Sequence, residues 1–246
     1  HEHTVELVRR AFAGHLDGTG GPVPRREGRL ELRTTPTLSI TEHDGEQSHL
    51  SLGVRSFGRH DDRRWALSVL NAAIGGGLSS RLFQEVREKR GLAYSVYSGI
   101  DTFADTGAFS VYAGCQPENL SEVAAVIREV LGAVAKDGIT DAECARAKGS
   151  LRGGLVLGLE DTGARMHRIG RSELNYGRHW SLTETLERIA TVSSEQVREV
   201  AAELLHRPFA AAVVGVFGTT VILHGTLVLV PLLVERLQGG NAQTSG

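Results

Sequence analysis

Arg87 and Tyr94, seven residues apart, are two side chains whose chemical types could act together on a carbonyl group. They lie on either side of Gly91, within residues 75–98. A guanidinium group offers several N–H donors in a rigid fork, and a phenol offers an O–H. Together they could hold a peptide carbonyl or a developing oxyanion. On spacing alone, a structural role for both residues is the stronger interpretation.

Three consecutive glycines, Gly75, Gly76 and Gly77, open the same stretch and invite comparison with a phosphate-binding loop. A Walker loop requires lysine and then serine or threonine after the last glycine, whereas leucine follows here. The dinucleotide fingerprint requires a preceding strand, whereas the pattern before these glycines is helical. We therefore interpret them as a structural hinge, a tight helix-to-helix connection with close backbone packing, and Gly91 as a helix-stopping glycine.

The chain carries ten histidines and two cysteines, but they form no recognisable metal or nucleophile motif. Neither H-E-x-x-H nor H-x-x-E-H occurs, and G-x-S-x-G and C-x-x-C are also absent. His43 and His49 lie near acidic residues, and a solvated loop is favoured there over a weak surface metal site. Neither Cys115 nor Cys144 has an evident base beside it in the sequence. We expect no metal ligands and no catalytic nucleophile or base in this chain.

The overall charge argues against two classes of partner. The net charge of −2 and pI near 6.6 give no electrostatic reason to expect nucleic acid or an anionic membrane. Two cysteines in 246 residues suit a reduced compartment. The chain starts at His1, and Met166 is its one methionine, so we expect a fragment or a processed piece.

The elements that must position Arg87 and Tyr94 follow from hydrophobic periodicity. Helices are predicted over residues 4–16, 61–74, 81–90, 119–136, 140–159, 162–176, 182–189 and 193–205. Strands are predicted over residues 30–40, 49–57, 93–103, 108–112 and 209–217. Strands followed by a run of helices and one returning strand indicate an α+β fold. We expect a two-layer sandwich, a mixed or antiparallel sheet with helices packed on one face.

Local patterns make further predictions around the pair. Ser79 or Ser80 is predicted to cap the helix that carries Arg87, with Leu82, Phe83 and Val86 as its apolar face.

The strand that follows Gly91 carries two tyrosines. Tyr94 and Tyr97 should point to opposite faces of a regular strand, which places one of them in the core. Elsewhere, Thr140 with Glu143 and Ser193 with Gln196 fit the capping box at helix starts.

The string GGGLSSRLFQEVREKRGLAYSVYS, residues 75–98, resembles the second homologous domain of the M16 metallopeptidases. This is the family of pitrilysin, insulysin and the mitochondrial processing peptidase, and the chain is most similar to its bacterial processing-peptidase-like members. The resemblance covers roughly residues 2–217, including residues 46–49 (EQSH) and the helical stretch around residues 145–149.

This resemblance implies a protein of two α+β halves that close like a clamshell on a peptide. The first half would carry zinc on an H-x-x-E-H motif, and the second would carry no metal. The second half supplies an arginine and a tyrosine at the spacing of Arg87 and Tyr94. Arg87 would hold peptide backbone, and Tyr94 would donate to the substrate carbonyl or its tetrahedral intermediate. The implied cofactor is zinc in the parent protein, and the implied partners are a peptide, the zinc-bearing half and a homodimer or clamshell mate.

The resemblance also divides the chain. Residues 1–16 are predicted to be the tail helix of a preceding zinc-bearing domain, residues 17–29 a Gly- and Pro-rich linker, and residues 30–218 the M16-type domain. Residues 219–246 form an apolar tail that matches nothing in the family. No charged residue occurs from 209 to 234, which is long enough for a bilayer, but glycines and a proline interrupt it and a membrane span is less favoured.

Two functions of different class follow. The favoured one is the substrate-binding half of a zinc metalloendopeptidase for extended peptides, inactive alone because the zinc motif is absent. The alternative is a non-catalytic, core-type structural or binding subunit of the same family. A membrane-tethered form is a third, weaker possibility. We expect a bacterial, cytoplasmic protein.

Overall fold

The computed structural model describes residues 1–15 and 37–215. The chain divides into two units, His1–Arg33 and Thr34–Gly246. In the first unit, helix α1 (Glu2–Phe12) has no buried residue. The linker predicted at residues 17–29 and the tail predicted at residues 219–246 lie outside the described residues. Within the described ranges, no helix combines the length and the apolar character needed to cross a bilayer.

The second unit contains one five-stranded mixed sheet in its described part. The strands are β1 (Leu38–Glu42), β2 (Ser48–Ser56), β3 (Ala93–Thr102), β4 (Gly107–Cys115) and β5 (Ala210–Gly215). Their order across the sheet is β1-β5-β2-β4-β3. The β1–β5 pair is parallel and the other pairs are antiparallel. Strand β3, which carries Tyr94, therefore lies at an edge of the sheet.

The described part of this unit contains six α-helices, of which three contact the strands and cover one face of the sheet. The six helices are α2 (Arg64–Gly75), α3 (Leu120–Asp137), α4 (Asp141–Gly158), α5 (Thr162–Tyr176), α6 (Leu182–Thr191) and α7 (Ser194–Leu205). A short 3₁₀ turn, Pro117–Asn119, precedes α3, and a π-helical segment, Phe83–Glu88, lies between α2 and β3.

Alternation along β2 separates the two faces of the sheet. Leu50, Leu52 and Val54 are buried in the core, whereas Ser51 and Arg55 are exposed on the opposite face. A strand that is half buried and half solvated is expected for a sheet covered on one face by helices. The predicted α+β architecture is confirmed.

Helix starts are also as predicted. Thr140 and Glu143 form a complete capping box at α4, and Ser193 and Gln196 form another at α7. A third box, at Ser181, was not predicted. Each cap satisfies backbone N–H groups that the helix leaves unpaired and contributes about 1 kcal/mol.

The predicted serine cap after the glycines is wrong. The backbone oxygen of Ser80 accepts from the N–H of Gln84 at 3.0 Å, but its Oγ is buried without a hydrogen-bond partner in the described part of the chain. No side chain caps the π-helical segment. The loop backbone and contacts from other elements hold this start in place instead.

Candidate functional site

Arg87 lies on the π-helical segment Phe83–Glu88, where an ordinary α-helix was predicted. Its wider winding is visible in the bond from the N–H of Lys89 to the carbonyl of Gln84, five residues back. The segment ends at Gly91, whose φ of 64° is the left-handed conformation expected of a helix-stopping glycine. Single π-helical turns are rare and recur at functional sites.

Tyr94 occupies a β-bulge at the start of β3. Ala93 pairs with Cys115 and Ser95 with its neighbour Gly114, so Tyr94 is the extra residue of the strand. One extra residue shifts the alternation of the side chains that follow it. Tyr94 and Tyr97 are consequently both exposed, at 75% and 51% of their surface. The prediction that one of them belongs to the core is wrong for this reason.

The structure brings Arg87 and Tyr94 together. Nη1 of Arg87 donates to the backbone carbonyl of Tyr94 at 2.8 Å, and the guanidinium carbon lies 5.1 Å from the centre of the Tyr94 ring. The ring of Phe83 is equally close to the same guanidinium, at 5.0 Å. Contacts of this kind between a cation and aromatic rings are attractive. The Tyr94 hydroxyl makes no hydrogen bond to any described residue, and the Tyr94 side chain is exposed.

Arg87 has no carboxylate partner among the described residues. The two basic residues just after the segment differ, because Lys89 and Arg90 both bind Glu85, at 2.5 and 2.6 Å. Hydrogen bonds from these two cations lower the pKa of the Glu85 carboxyl. An arginine side chain has five N–H donors. Within the described ranges, Arg87 uses one of them, the Nη1 donor that binds the Tyr94 carbonyl. The remaining donors have no acceptor among the described residues.

The segment that carries Arg87 is anchored at its start by Arg81. The Glu143 carboxylate accepts from Nε and Nη2 of Arg81 at 2.5 and 2.7 Å. Burial alone would raise the pKa of Glu143, but hydrogen bonds from Arg81 and Thr140 outweigh burial and bring the pKa down to about 2. The side chains of this pair are mostly buried, and the pair joins the start of the segment to the first turn of α4.

The three glycines before the segment differ in their surroundings. A β-carbon on Gly75 would overlap the backbone nitrogen and Oγ of Ser98, and one on Gly76 would lie 2.6 Å from the Cα of Ala72. A β-carbon on Gly77 would meet nothing within 4 Å. Close packing against another element is therefore present at Gly75, where the end of α2 lies against β3, whereas Gly76 lies against Ala72 of its own helix. Hinge motion at these glycines stays a prediction.

The face of the sheet opposite the helices carries an aromatic cluster that the sequence did not suggest. The rings of Tyr97 and Tyr112 lie 5.0 Å apart across neighbouring strands, and Nδ1 of His49 lies 2.7 Å from the Tyr112 hydroxyl. His49 is thus part of a strand contact and not of a loop. The register that pairs Tyr97 with Tyr112 could not be read from the local pattern.

No three His, Cys, Asp or Glu side chains in residues 1–15 and 37–215 are grouped so that they could hold a metal ion. Cys115 and Cys144 are buried, and burial raises the pKa of both thiols, that of Cys115 to about 11. Neither thiol is activated as a nucleophile.

Comparison with known proteins shows the family of this chain. The family described as Peptidase M16 inactive domain matches residues 1–151, which is more than half of the chain. The chain belongs to the M16 peptidase family. The matched region includes both Arg87 and Tyr94.

Relatives of this M16 chain are about twice as long. An uncharacterized zinc protease of Mycobacterium tuberculosis is 57% identical over 219 residues, which are 89% of this chain and 50% of the relative. An uncharacterized zinc protease of Streptomyces coelicolor is 50% identical over 218 residues, 87% of this chain and 48% of the relative. The M16 chain thus spans about half the length of the curated relatives it matches.

Solved structures agree with the M16 fold. A protease from Helicobacter pylori has a TM-score of 0.73 at 21% identity, covering 87% of this chain and 52% of that protein. A peptidase M16 inactive domain from Pseudomonas fluorescens has a TM-score of 0.67 at 24% identity, with coverages of 75% and 44%. At these identities the likeness concerns the fold alone.

Proposed function

We propose that this M16 chain is the substrate-binding half of a zinc-dependent metalloendopeptidase that cleaves extended peptides. Its relatives are named zinc proteases and are about twice as long. The described residues offer no ligand set for zinc, and H-x-x-E-H is absent from all 246 residues. Zinc, which would supply an activated water and polarise the peptide carbonyl, would be held by a half outside this chain.

One observation carries the proposal. Arg87 keeps N–H donors that have no acceptor among the described residues, beside the exposed phenol of Tyr94. Arg90, three residues further on, instead uses its guanidinium group to bind Glu85. Two donor groups held together and open to solvent suit an extended ligand rich in carbonyl oxygens.

In this function the chain binds and orients the peptide. The Tyr94 hydroxyl donates a hydrogen bond to the scissile carbonyl oxygen, and the bond strengthens as negative charge develops there. The free N–H groups of Arg87 donate to a neighbouring backbone carbonyl of the peptide. Because β3 is an edge strand, the peptide can also pair with its open backbone edge. In this role Arg87 and Tyr94 donate hydrogen bonds and do not transfer a proton.

The test is peptide cleavage by the complete gene product, the polypeptide that joins this chain to the proposed zinc-bearing half. Tyr94→Phe removes one hydroxyl and is expected to lower kcat by about a hundredfold, because losing one oxyanion donor costs this much in other enzymes. Arg87→Ala is expected to lower kcat/KM more than tenfold. Zinc content should stay unchanged in both variants. Tyr97→Phe, which removes a phenol from the same exposed strand, is the matched control.

The outcomes separate the two functions. Wild-type rates in Tyr94→Phe and Arg87→Ala would remove the site assignment. A degenerate zinc motif in the upstream coding sequence, together with no cleavage by the complete product, would instead favour the alternative function, a non-catalytic subunit of the same family.

A further inference from the structure

Phe83 is an aromatic residue that the core does not use. It belongs to the apolar triplet predicted to face the interior, and its companions Leu82 and Val86 are fully buried. Phe83 is only half buried, and it is neither in the buried core nor among the partly buried apolar side chains packed against it. Its ring therefore has a partner of another kind.

That partner is Arg87. The two side chains are four residues apart and so are neighbours on the surface of the segment. The guanidinium carbon of Arg87 lies 5.0 Å from the centre of the Phe83 ring and 5.1 Å from that of Tyr94. Two rings and one backbone carbonyl thus contact a guanidinium group that has no ion-pair partner in the described part of the chain.

These contacts restrict the side chain that the proposed function depends on. A free arginine side chain has many rotamers, and ordering it costs free energy when a ligand binds. The bond to the Tyr94 carbonyl fixes one end of the guanidinium fork. A ring face against the same group limits its rotation and keeps the remaining N–H donors in one direction, so less ordering is left to the peptide.

We propose that Phe83 is a positioning residue for peptide recognition: its ring holds the Arg87 guanidinium in the orientation that meets the substrate backbone. The inference rests on the proposed function of Arg87.

The kinetic test uses Phe83→Leu and Phe83→Tyr in the complete gene product. Loss of the ring in Phe83→Leu should lower kcat/KM by roughly threefold to fivefold, the size expected for an exposed contact between a cation and an aromatic ring. Phe83→Tyr keeps the ring and should stay near wild type. Phe103→Leu, at an exposed phenylalanine near the end of β3, is the matched control and should show no change. If Phe83→Leu does not fold, Phe83→Met takes its place.

A double-mutant cycle with Arg87→Ala distinguishes positioning from structure. If Phe83 acts through Arg87, Phe83→Leu should have no further effect once Arg87 is replaced. The same threefold to fivefold loss in both backgrounds would overturn the inference and leave Phe83 a structural residue. Impaired Arg87→Ala with unimpaired Phe83→Leu would also overturn it, while the proposed function stands.

A second measurement needs no activity. Side-chain nitrogen relaxation of Arg87 in this 246-residue chain reports how ordered its guanidinium is. Phe83→Leu should increase the mobility of the Arg87 Nε–H group, and Phe83→Tyr should not. Unchanged relaxation in Phe83→Leu would contradict the inference. Ordered Arg87 in the wild type, together with wild-type cleavage by Arg87→Ala, would instead remove the proposed function and this inference with it.

Discussion

Arg87 donates a hydrogen bond to the backbone carbonyl of Tyr94 at 2.8 Å, and this bond joins a π-helical segment to a β-bulge. Both features are departures from regular structure, and each leaves backbone groups that the regular pattern would have paired. The two departures lie close together in the chain, on either side of Gly91. Irregular backbone concentrated at one place is typical of functional sites, and here it holds the two residues with the strongest claim to bind a peptide.

The shape of the Arg87 side chain, and not its charge alone, should matter. Arg87→Lys keeps the positive charge but replaces a planar fork with a point charge. We expect kcat/KM of the complete gene product to fall more than tenfold, because a lysine cannot lie flat against the rings and donate to the Tyr94 carbonyl and the peptide together. Arg90→Lys is the matched control, since its exposed pair with Glu85 contributes little. Wild-type cleavage by Arg87→Lys would show that charge is sufficient.

A second prediction compares the effects of Gly75→Ala and Gly77→Ala on stability. Gly75→Ala places a β-carbon where the backbone of Ser98 lies, so α2 or β3 must shift. We expect the free energy of unfolding to fall by about 3 kcal/mol, the upper range for overpacking. Gly77→Ala has open space around its new methyl group and no positive φ, so its effect should stay within about 0.5 kcal/mol. Urea unfolding of this chain measures the change in stability of both variants. Equal losses of stability would show that the contact between Gly75 and Ser98 is not as close as the structure indicates.

Much of the fold follows from local pattern. The alternation of Leu50, Leu52 and Val54 predicts a half-buried strand, and the capping boxes at Thr140 and Ser193 predict where helices begin. These signals are local because a side chain and its own backbone, or one face of one element, decide them. The resemblance carried by residues 75–98 then singled out Arg87 and Tyr94, which spacing alone would have left as structural residues.

The details of the site did not follow, because they depend on contacts between elements. The bulge at Tyr94 is set by the register of β3 against β4, and no local feature of the sequence marks the extra residue. The π-helical winding at Arg87 likewise has no sequence signal. Phe83 looks like a core residue by periodicity. Its contact with the Arg87 guanidinium could not be predicted, because only the folded segment brings the two side chains together.

Gly91 gives a third prediction. Its φ of 64° is unfavourable for any residue with a β-carbon, although open space surrounds the site. Gly91→Ala should therefore destabilise the chain by about 1 kcal/mol for conformational reasons alone. It should also lower kcat/KM of the complete product, because Gly91 sets the path from Arg87 to Tyr94. Gly177→Ala, at φ 62° after α5, should cost similar stability without the kinetic loss. Loss of activity in both would point to a general effect of instability.

The pair of Arg81 and Glu143 predicts how stability depends on pH. The pKa of Glu143 in the folded chain is about 2, below its ordinary value of 4.5, because hydrogen bonds to the carboxylate outweigh the effect of burial. A lowered pKa means that the folded state favours the ionised form. The resulting stability is fully present above about pH 4.5 and is lost as the pH falls from there towards 2.

Glu143→Gln should remove that dependence. At pH 7 we expect the free energy of unfolding to fall by roughly 2 to 3 kcal/mol, since the carboxylate is mostly buried and binds both Arg81 and the Thr140 backbone. The difference between wild type and Glu143→Gln, measured by urea unfolding, should shrink as the pH is lowered from 5 towards 2. In Arg81→Gln, the free energy of unfolding should depend less on pH over the same range, because the substitution removes the cation that lowers the pKa of Glu143. A difference that stays constant from pH 7 to pH 2.5 would show that the carboxylate charge contributes nothing and that packing of the side chain is what anchors the segment carrying Arg87.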